Sequence, residues 1–324
     1  MSDKERLGGT LHADDGGYRD IVERLVFAAV NEQRRARRWS IFFKVLLALY
    51  LLALLILYLP RDWSEVSTVG KKHTALVELS GAISDSTEAS ADTVIGGLRD
   101  AFKDKNTAGV ILRANSPGGS PVQSSYIYQE IHRLRELHPD TKLYAVVTDI
   151  CASGCYYVVS AADEIYVNKS SIVGSIGVRM DSFGFVDTLD KLGVERRLYT
   201  AGESKGFLDP FLPSKDSDVE HVQKLLGAIH EQFKSAVRDG RGDKLEEDPQ
   251  LFTGLVWTGE ESVEMGLVDK FGSAGYVARE VIGAEDIVDF TQEPDLLERI
   301  TERIGVAMAR AMGKFMVEGA GTVK

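Results

Sequence analysis

The chain begins polar and becomes almost wholly apolar from Ile41 to Leu59, with one charge, Lys44, near the start of that run. About 20 apolar residues cross a bilayer as a helix, and a lysine so close to the end can reach back to the headgroups. The pattern predicts a single transmembrane helix over 41–59, with a short helix over 20–38 leading into it. Residues 1–20 are polar and rich in Gly and Asp, and read as disordered. Residues 60–72 read as a polar tether of at most ~45 Å, which would keep the next domain close to the membrane. From His73 the period changes. Residues 74–80, 108–113 and 143–148 are short apolar runs of strand length. Between them, 90–105 and 122–137 carry apolar residues at helical spacing, with Val94, Ile95, Leu98 and Phe102 on one face. That alternation predicts an α/β fold class built on a parallel sheet with right-handed crossovers. Helices come next over 217–238, where Leu225, Ile229 and Phe233 recur, and over 259–266 and 274–282. A final amphipathic helix is predicted over 294–317, striped by Leu297, Ile300, Ile304, Met308, Ala311 and Phe315. Such a stripe reads as core or partner packing. The organisation is therefore a tail (1–40), a membrane helix (41–59), a tether (60–72), an α/β domain (73–290) and a C-terminal amphipathic helix (291–324).

Charge and cysteine usage narrow this further. Arg34, Arg35, Arg37 and Arg38 precede the apolar run and Trp39 marks its edge. The positive-inside rule places residues 1–40 in the cytoplasm and the α/β domain on the far side. A cleaved signal peptide fits less well, because some 40 residues precede the run and 58–63 lacks a small-x-small cleavage pattern. A formal net charge of −11 over 324 residues leaves no domain-wide basic face, which argues against nucleic acid as a partner. The only cysteines, Cys151 and Cys155, permit one disulfide at most. Four residues apart across a helix start, they read as buried thiols packing as small apolar groups. No histidine lies near them in sequence, so no metal is expected, and no cofactor either.

Two of the predicted strands run straight into turn motifs: Ser116-Pro117-Gly118-Gly119-Ser120, and Ala152-Ser153-Gly154-Cys155-Tyr156-Tyr157. Loops at the carboxyl ends of parallel strands are where such sheets carry function. Alone, Ser153 reads as a helix cap. Its neighbours change the balance. Amide hydrolysis through an acyl-enzyme needs a nucleophile, a base and donors aimed at the developing oxyanion. Glycines let backbone N–H groups face outward, so the amides of Gly119, Gly118 and Gly154 are the candidate donors. Six histidines exist, and none falls between His138 and His221, where the motifs cluster. His132, His138, His221 and His230 read as solvated surface. Lys205, in Gly202-Glu203-Ser204-Lys205-Gly206-Phe207-Leu208-Asp209-Pro210, is the alternative base. A lysine ordinarily titrates near about 10.4 and must come down to roughly 7 to 8 to serve as a base. That demands desolvation, which the bulky apolar residues around Lys205 suit.

Taken together, SPGGS, ASGCYY…IVGSIGV and AGESKGFLDPF resemble the signal peptide peptidase A family, membrane-bound serine peptidases of family S49 with a Ser-Lys dyad. The resemblance covers roughly residues 74–275. It implies a fold similar to the Clp-protease and crotonase folds, a spiral of ββα units. It implies Ser153 as nucleophile, Lys205 as general base, and Ser175 as the hydroxyl that orients the lysine amine. It also implies that Gly118, Gly119 and Gly154 line the oxyanion site. Cys155 stands where the family usually has a glycine or another small residue. Members assemble into dome-like rings whose neighbouring subunits complete the sites. The expected substrates are apolar, unfolded peptides such as cleaved signal peptides. The expected location is the bacterial inner membrane, single-pass, with the peptidase domain on the extracytoplasmic side. Two other readings compete. A catalytically inactive membrane scaffold of the same fold would not react with a fluorophosphonate. A crotonase-like acyl-CoA enzyme would bind CoA.

Overall fold

The computed structural model describes residues 15–58 and 70–292, and the chain divides into two units, Met1–Ser67 and Thr68–Lys324. In the first unit one continuous helix, α1 (Asp15–Tyr58), covers both the expected leading helix and most of the apolar run. Residues 15–20, expected to be disordered, are its first turns. Side chains from Val30 to Leu52 are all exposed. Among the described residues no helix is long and apolar enough to cross a membrane. The part of the apolar run described with its side chains, 41–52, is shorter than the ~20 residues a span needs. The final amphipathic helix predicted over 294–317, and most of the tether, lie outside the described residues.

The second unit runs β1 (His73–Ser80), α2 (Ala91–Lys103), β2 (Thr107–Ser116), α3 (Pro121–Leu137), β3 (Leu143–Ala152), α4 (Gly154–Val159), β4 (Glu164–Val167), β5 (Ile172–Gly174), α5 (Val186–Lys191), α6 (Asp216–Arg241), β6 (Val256–Thr258), α7 (Gly259–Glu264), β7 (Lys270–Phe271), α8 (Ala274–Tyr276) and β8 (Ile287–Asp289). A π-helical turn, Val277–Ile282, comes directly after α8 and completes the helix expected over 274–282. The helix starts are written in the sequence. Ser90 accepts the Thr93 N–H at the head of α2. Ser120 accepts the Gln123 N–H at the head of α3, with Pro121 in the first turn. Side-chain oxygens of this kind satisfy the orphan amides of a first turn.

The strands form one eight-stranded α/β sheet, in the order β6-β5-β3-β2-β1-β8 with β4 and β7 off that path. All pairings are parallel except β5 with β6. Strand β3 forks. Its first half pairs with β4 through Tyr144–Glu164 to Val146–Tyr166. Its last residues pair with β5 through Ile150–Ile172 to Ala152–Gly174. The sheet is covered on both faces. Val77, Leu79, Leu112, Ala114 and Val147 point toward α2, α3 and α4 in the larger core. Leu76, Ile111, Val146 and Tyr166 point the other way, against Ala274, Val277 and Ala278. Burial on both faces explains why these strands read as continuous apolar runs rather than as alternating ones.

Candidate active site

The carboxyl ends of β2, β3 and β5 meet in one place. Strand β3 ends at Ala152, and α4 begins at Gly154. Ser153, between them, has φ 54° and ψ −123°. Ser175 comes after Gly174, the register partner of Ala152, and has φ 53°. A non-glycine residue at such angles is held there by its surroundings, at a cost of roughly 1–3 kcal/mol. Among the described residues only Ser153, Ser175 and Leu208 do this, and all three belong to the motif segments. The Ser153 N–H donates to Gly174 O (2.8 Å), and Ser153 O accepts from the Tyr157 N–H (3.0 Å). The backbone of the serine is therefore tied to β5 on one side and to α4 on the other.

The hydroxyl of Ser153 makes no cap hydrogen bond to α4. Ser90, Ser120, Thr258 and Ser273 all make one at their own helices. The capping reading of Ser153 thus fails, and a half-buried hydroxyl is left facing a cleft of about 1090 Å³. Gly118, Gly119, Gly154 and Ser175 line the same cleft.

The Pro-Gly-Gly turn is pressed against the serine. A Cβ on Gly118 would lie 2.6 Å from Ala152 O, 2.7 Å from Gly154 N and 2.8 Å from Ser153 Cβ. A Cβ on Gly119 would lie 2.1 Å from Ile83 O, because the turn is strapped to Ile83 by Ile83 N–H to Gly118 O (2.9 Å) and Ser120 N–H to Ile83 O (2.8 Å). Only glycine fits either position. The three candidate donors are not equivalent. The Gly118 N–H donates to Ser116 Oγ (3.1 Å) and is spoken for. The N–H groups of Gly119 and Gly154 have no partner among the described residues. They also lie close together: a Cβ on Gly154 would be 3.2 Å from Gly119 N. Two unpaired amides beside a serine are what an oxyanion requires.

Lys205 is not brought to this cluster. It is exposed, in a turn where its N–H donates to Gly202 O (3.1 Å), and it does not line the cleft. The expected partly buried loop is open. Residues 179–205 are almost all exposed; Phe185 stacks on Phe211 and lies tilted to Phe183, and Phe183, Phe185 and Phe211 keep 75%, 41% and 38% of their surface exposed. The apolar residues of this segment are themselves left in solvent and leave the lysine exposed.

Two sequence readings need correction. The cysteines are not free thiols: Cys151 and Cys155 form a disulfide around Ser153. Of the four histidines read as solvated surface, His221 is exposed, but His132, His138 and His230 are half-buried. His132 packs on Tyr128 and His138 on Phe102. Burial pushes the His132 imidazole below its ordinary value. His230 lines the cleft, with Nε2 3.1 Å from Ile176 O, one residue past Ser175. The signal was its helical spacing with Ile229 and Phe233, which face the same cleft. Apolar walls come from these two residues, Val122, Tyr126 and Tyr157. Among the described residues no group of three or more His, Cys, Asp or Glu side chains is placed to hold a metal ion.

Residues 135–286 match the model of peptidase family S49, a stretch that contains Ser153, Ser175 and Lys205 but not Gly118–Gly119. The Na(+)/H(+) antiporter NhaA of Brucella abortus (strain 2308) is 42% identical over 228 residues, 69% of this chain and 31% of that protein. A candidate signal peptide peptidase SppA of Enterococcus faecium is 28% identical over 218 residues, 64% of this chain and 63% of that one. A candidate protease of Synechocystis sp. is 31% identical over 209 residues, 64% of this chain and 72% of that one. The chain spans about a third of the length of the antiporter it matches.

Proposed function

The chain belongs to peptidase family S49, and from that premise we propose that it is a membrane-anchored serine endopeptidase acting through an acyl-enzyme on Ser153. The observation that carries this reading is the Ser153 hydroxyl, uncapped and held at positive φ beside the unpaired N–H groups of Gly119 and Gly154. The fork of β3 suits the turn of a spiral of ββα units, the arrangement of the Clp-protease and crotonase folds.

In the reaction, Ser153 Oγ attacks the scissile carbonyl carbon and its proton passes to the neutral amine of Lys205. The Gly119 and Gly154 N–H groups bind the oxyanion. As the intermediate collapses, the Lys205 ammonium returns the proton to the leaving amine. Water then repeats the sequence on the ester, with Lys205 as base, and frees Ser153. Once the site is assembled, Ser175 would hydrogen-bond the Lys205 amine and aim it. Within one chain Lys205 stays in water, so a neighbouring copy must cover 179–211 and complete the site. The exposed Met180, Phe183, Leu192 and Tyr199 of that segment suit such a contact in a ring-shaped homo-oligomer.

Apolar walls at the cleft favour extended apolar peptides, and cleaved signal peptides fit that class, in keeping with the name of the Enterococcus relative. The arginines ahead of the apolar run favour a cytoplasmic N-terminus in the bacterial inner membrane. A disulfide persists in an oxidising compartment, which favours the extracytoplasmic side for the peptidase domain.

The test is fluorophosphonate labelling of the full-length protein in detergent, wild type beside Ser153→Ala and Lys205→Ala. Both variants should lose labelling, and an equimolar co-assembly of the two should regain part of it. Labelling of Ser153→Ala at the wild-type level removes the nucleophile assignment. An unlabelled wild type supports the inactive scaffold instead.

A further inference from the structure

The disulfide brackets the serine symmetrically, two residues before it and two after, with Cα atoms 5.1 Å apart. Cys151 is in β3, where it is the register partner of Ser116 on one side and of Val173 on the other. Cys155 is in the first turn of α4. Both are fully buried. The bridge therefore joins the end of the strand to the start of the helix across Ser153, whose backbone sits in a region that glycine favours. Ser116 accepts the Gly118 N–H through its hydroxyl, so Cys151 also abuts the residue that fixes the Pro-Gly-Gly turn.

Backbone hydrogen bonds hold Ser153 at only its N–H and its carbonyl. A strained residue persists when the structure around it over-determines its angles, and a covalent tie between its second neighbours does this directly. We propose that the Cys151–Cys155 disulfide is a positioning element for Ser153, which locks the left-handed turn carrying the nucleophile and makes peptide hydrolysis depend on the oxidised state of the pair. This rests on Ser153 being the nucleophile. Formation of the bridge removes two protons and two electrons from the thiols. A disulfide oxidant takes them up in two exchange steps: one cysteine thiolate opens the oxidant to a mixed disulfide, and the other displaces the second thiol. A bridge over so few residues constrains the unfolded chain little compared with a long loop. Its effect should therefore appear in the turn more than in the global fold.

The experiment compares full-length wild type in detergent with Cys151→Ala/Cys155→Ala and with the volume-refilled Cys151→Val/Cys155→Ala. The rate of fluorophosphonate labelling at Ser153 and kcat for an apolar peptide should fall together by roughly 5- to 150-fold, the range that relaxation of one strained residue represents. KM and the near-ultraviolet circular dichroism of the folded protein should stay close to wild type. Wild type isolated in its dithiol form and treated with glutathione disulfide should gain labelling in step with the loss of titratable thiols. The proposal is overturned if either folded variant labels and turns over at the wild-type rate, or if the dithiol form is fully labelled before oxidation. An oxidised wild type that hydrolyses peptide with Ser153 unlabelled overturns the nucleophile assignment, and the positioning role with it.

Discussion

Replacing Gly118 by alanine adds one methyl group at the point where two strand ends touch. Gly118 has φ +93°, and the new Cβ would meet three site atoms at 2.6–2.8 Å, two of them backbone atoms. Left-handed backbone costs an L-residue about 1–2 kcal/mol, and forcing a group into packed surroundings costs about 1–3 kcal/mol more. The sum, about 2–5 kcal/mol, can be relieved only by moving Ala152, Ser153 or Gly154. That displaces the Gly154 N–H from the oxyanion position, and losing one such donor lowers kcat by ~100- to 1000-fold. Steady-state hydrolysis of a fluorogenic apolar peptide measures the second effect and a thermal scan the first. Gly283→Ala is the control. Gly283 has a similar φ, +78°, but its Cβ would meet nothing within 4 Å. It should lose about 1–2 kcal/mol of stability and leave kcat unchanged. If Gly118→Ala retains kcat to within about threefold, the turn does not organise the oxyanion site and the reasoning fails.

Two further predictions concern the scaffold. Arg241, 1% exposed at its side chain, donates to Asp269 Oδ2 (2.8 Å), which also accepts the Ile165 N–H (2.7 Å). Burial would raise the Asp269 carboxyl, but hydrogen bonds from Arg241 and Lys244 hold it below its ordinary value. Asp269→Asn leaves the buried guanidinium without its counter-charge and should lower the unfolding free energy in urea by about 3–5 kcal/mol; a change under about 1 kcal/mol contradicts this. Glu130, between Arg133 and Arg99, is held down to about 2 by their hydrogen bonds, against the effect of burial. Because its folded pKa is depressed, the stability it contributes is complete above the ordinary carboxylate range and is lost as pH falls toward about 2. The urea midpoints of wild type and Glu130→Gln should therefore converge on acidification, and a constant difference from about pH 5 downward counts against the pairing.

The strands and helices over 73–152 were legible because each carries its own period or cap. Val94, Leu98 and Phe102 recur at helical spacing, Ser120 and Pro121 open α3, and β1 to β3 are apolar on both faces. Strands β4 to β8 were not foreseen. Each has four residues or fewer, too short for a period to emerge, and each exists because a neighbour offers its edge. At the site, the sequence named the glycines and serines that meet, since tight backbone approach and positive φ are local demands. It put the Gly119 amide ahead of that of Gly118, and the reason, the bond from the Gly118 N–H to Ser116 Oγ, is visible only in the fold. It placed Lys205 in an apolar setting correctly by composition and wrongly by burial, because local composition does not say which surface those residues cover. The disulfide was missed for a related reason: spacing of four permits both a bridge and two separate thiols, and only the turn at Ser153 draws the sulfurs together.

Strand β8 reaches the sheet from the far end of the domain. It pairs with β1, and Thr74 Oγ1 donates to Ala284 O across 210 positions of sequence. Synthesis from the N-terminus delivers β1 first and its outer partner last. Until then one flank of β1 offers unpaired peptide groups to any extended chain nearby, which is the geometry of misassembly between nascent copies. A truncation ending before Ile287 would make that interval permanent, so the few residues of β8 guard solubility out of proportion to their length.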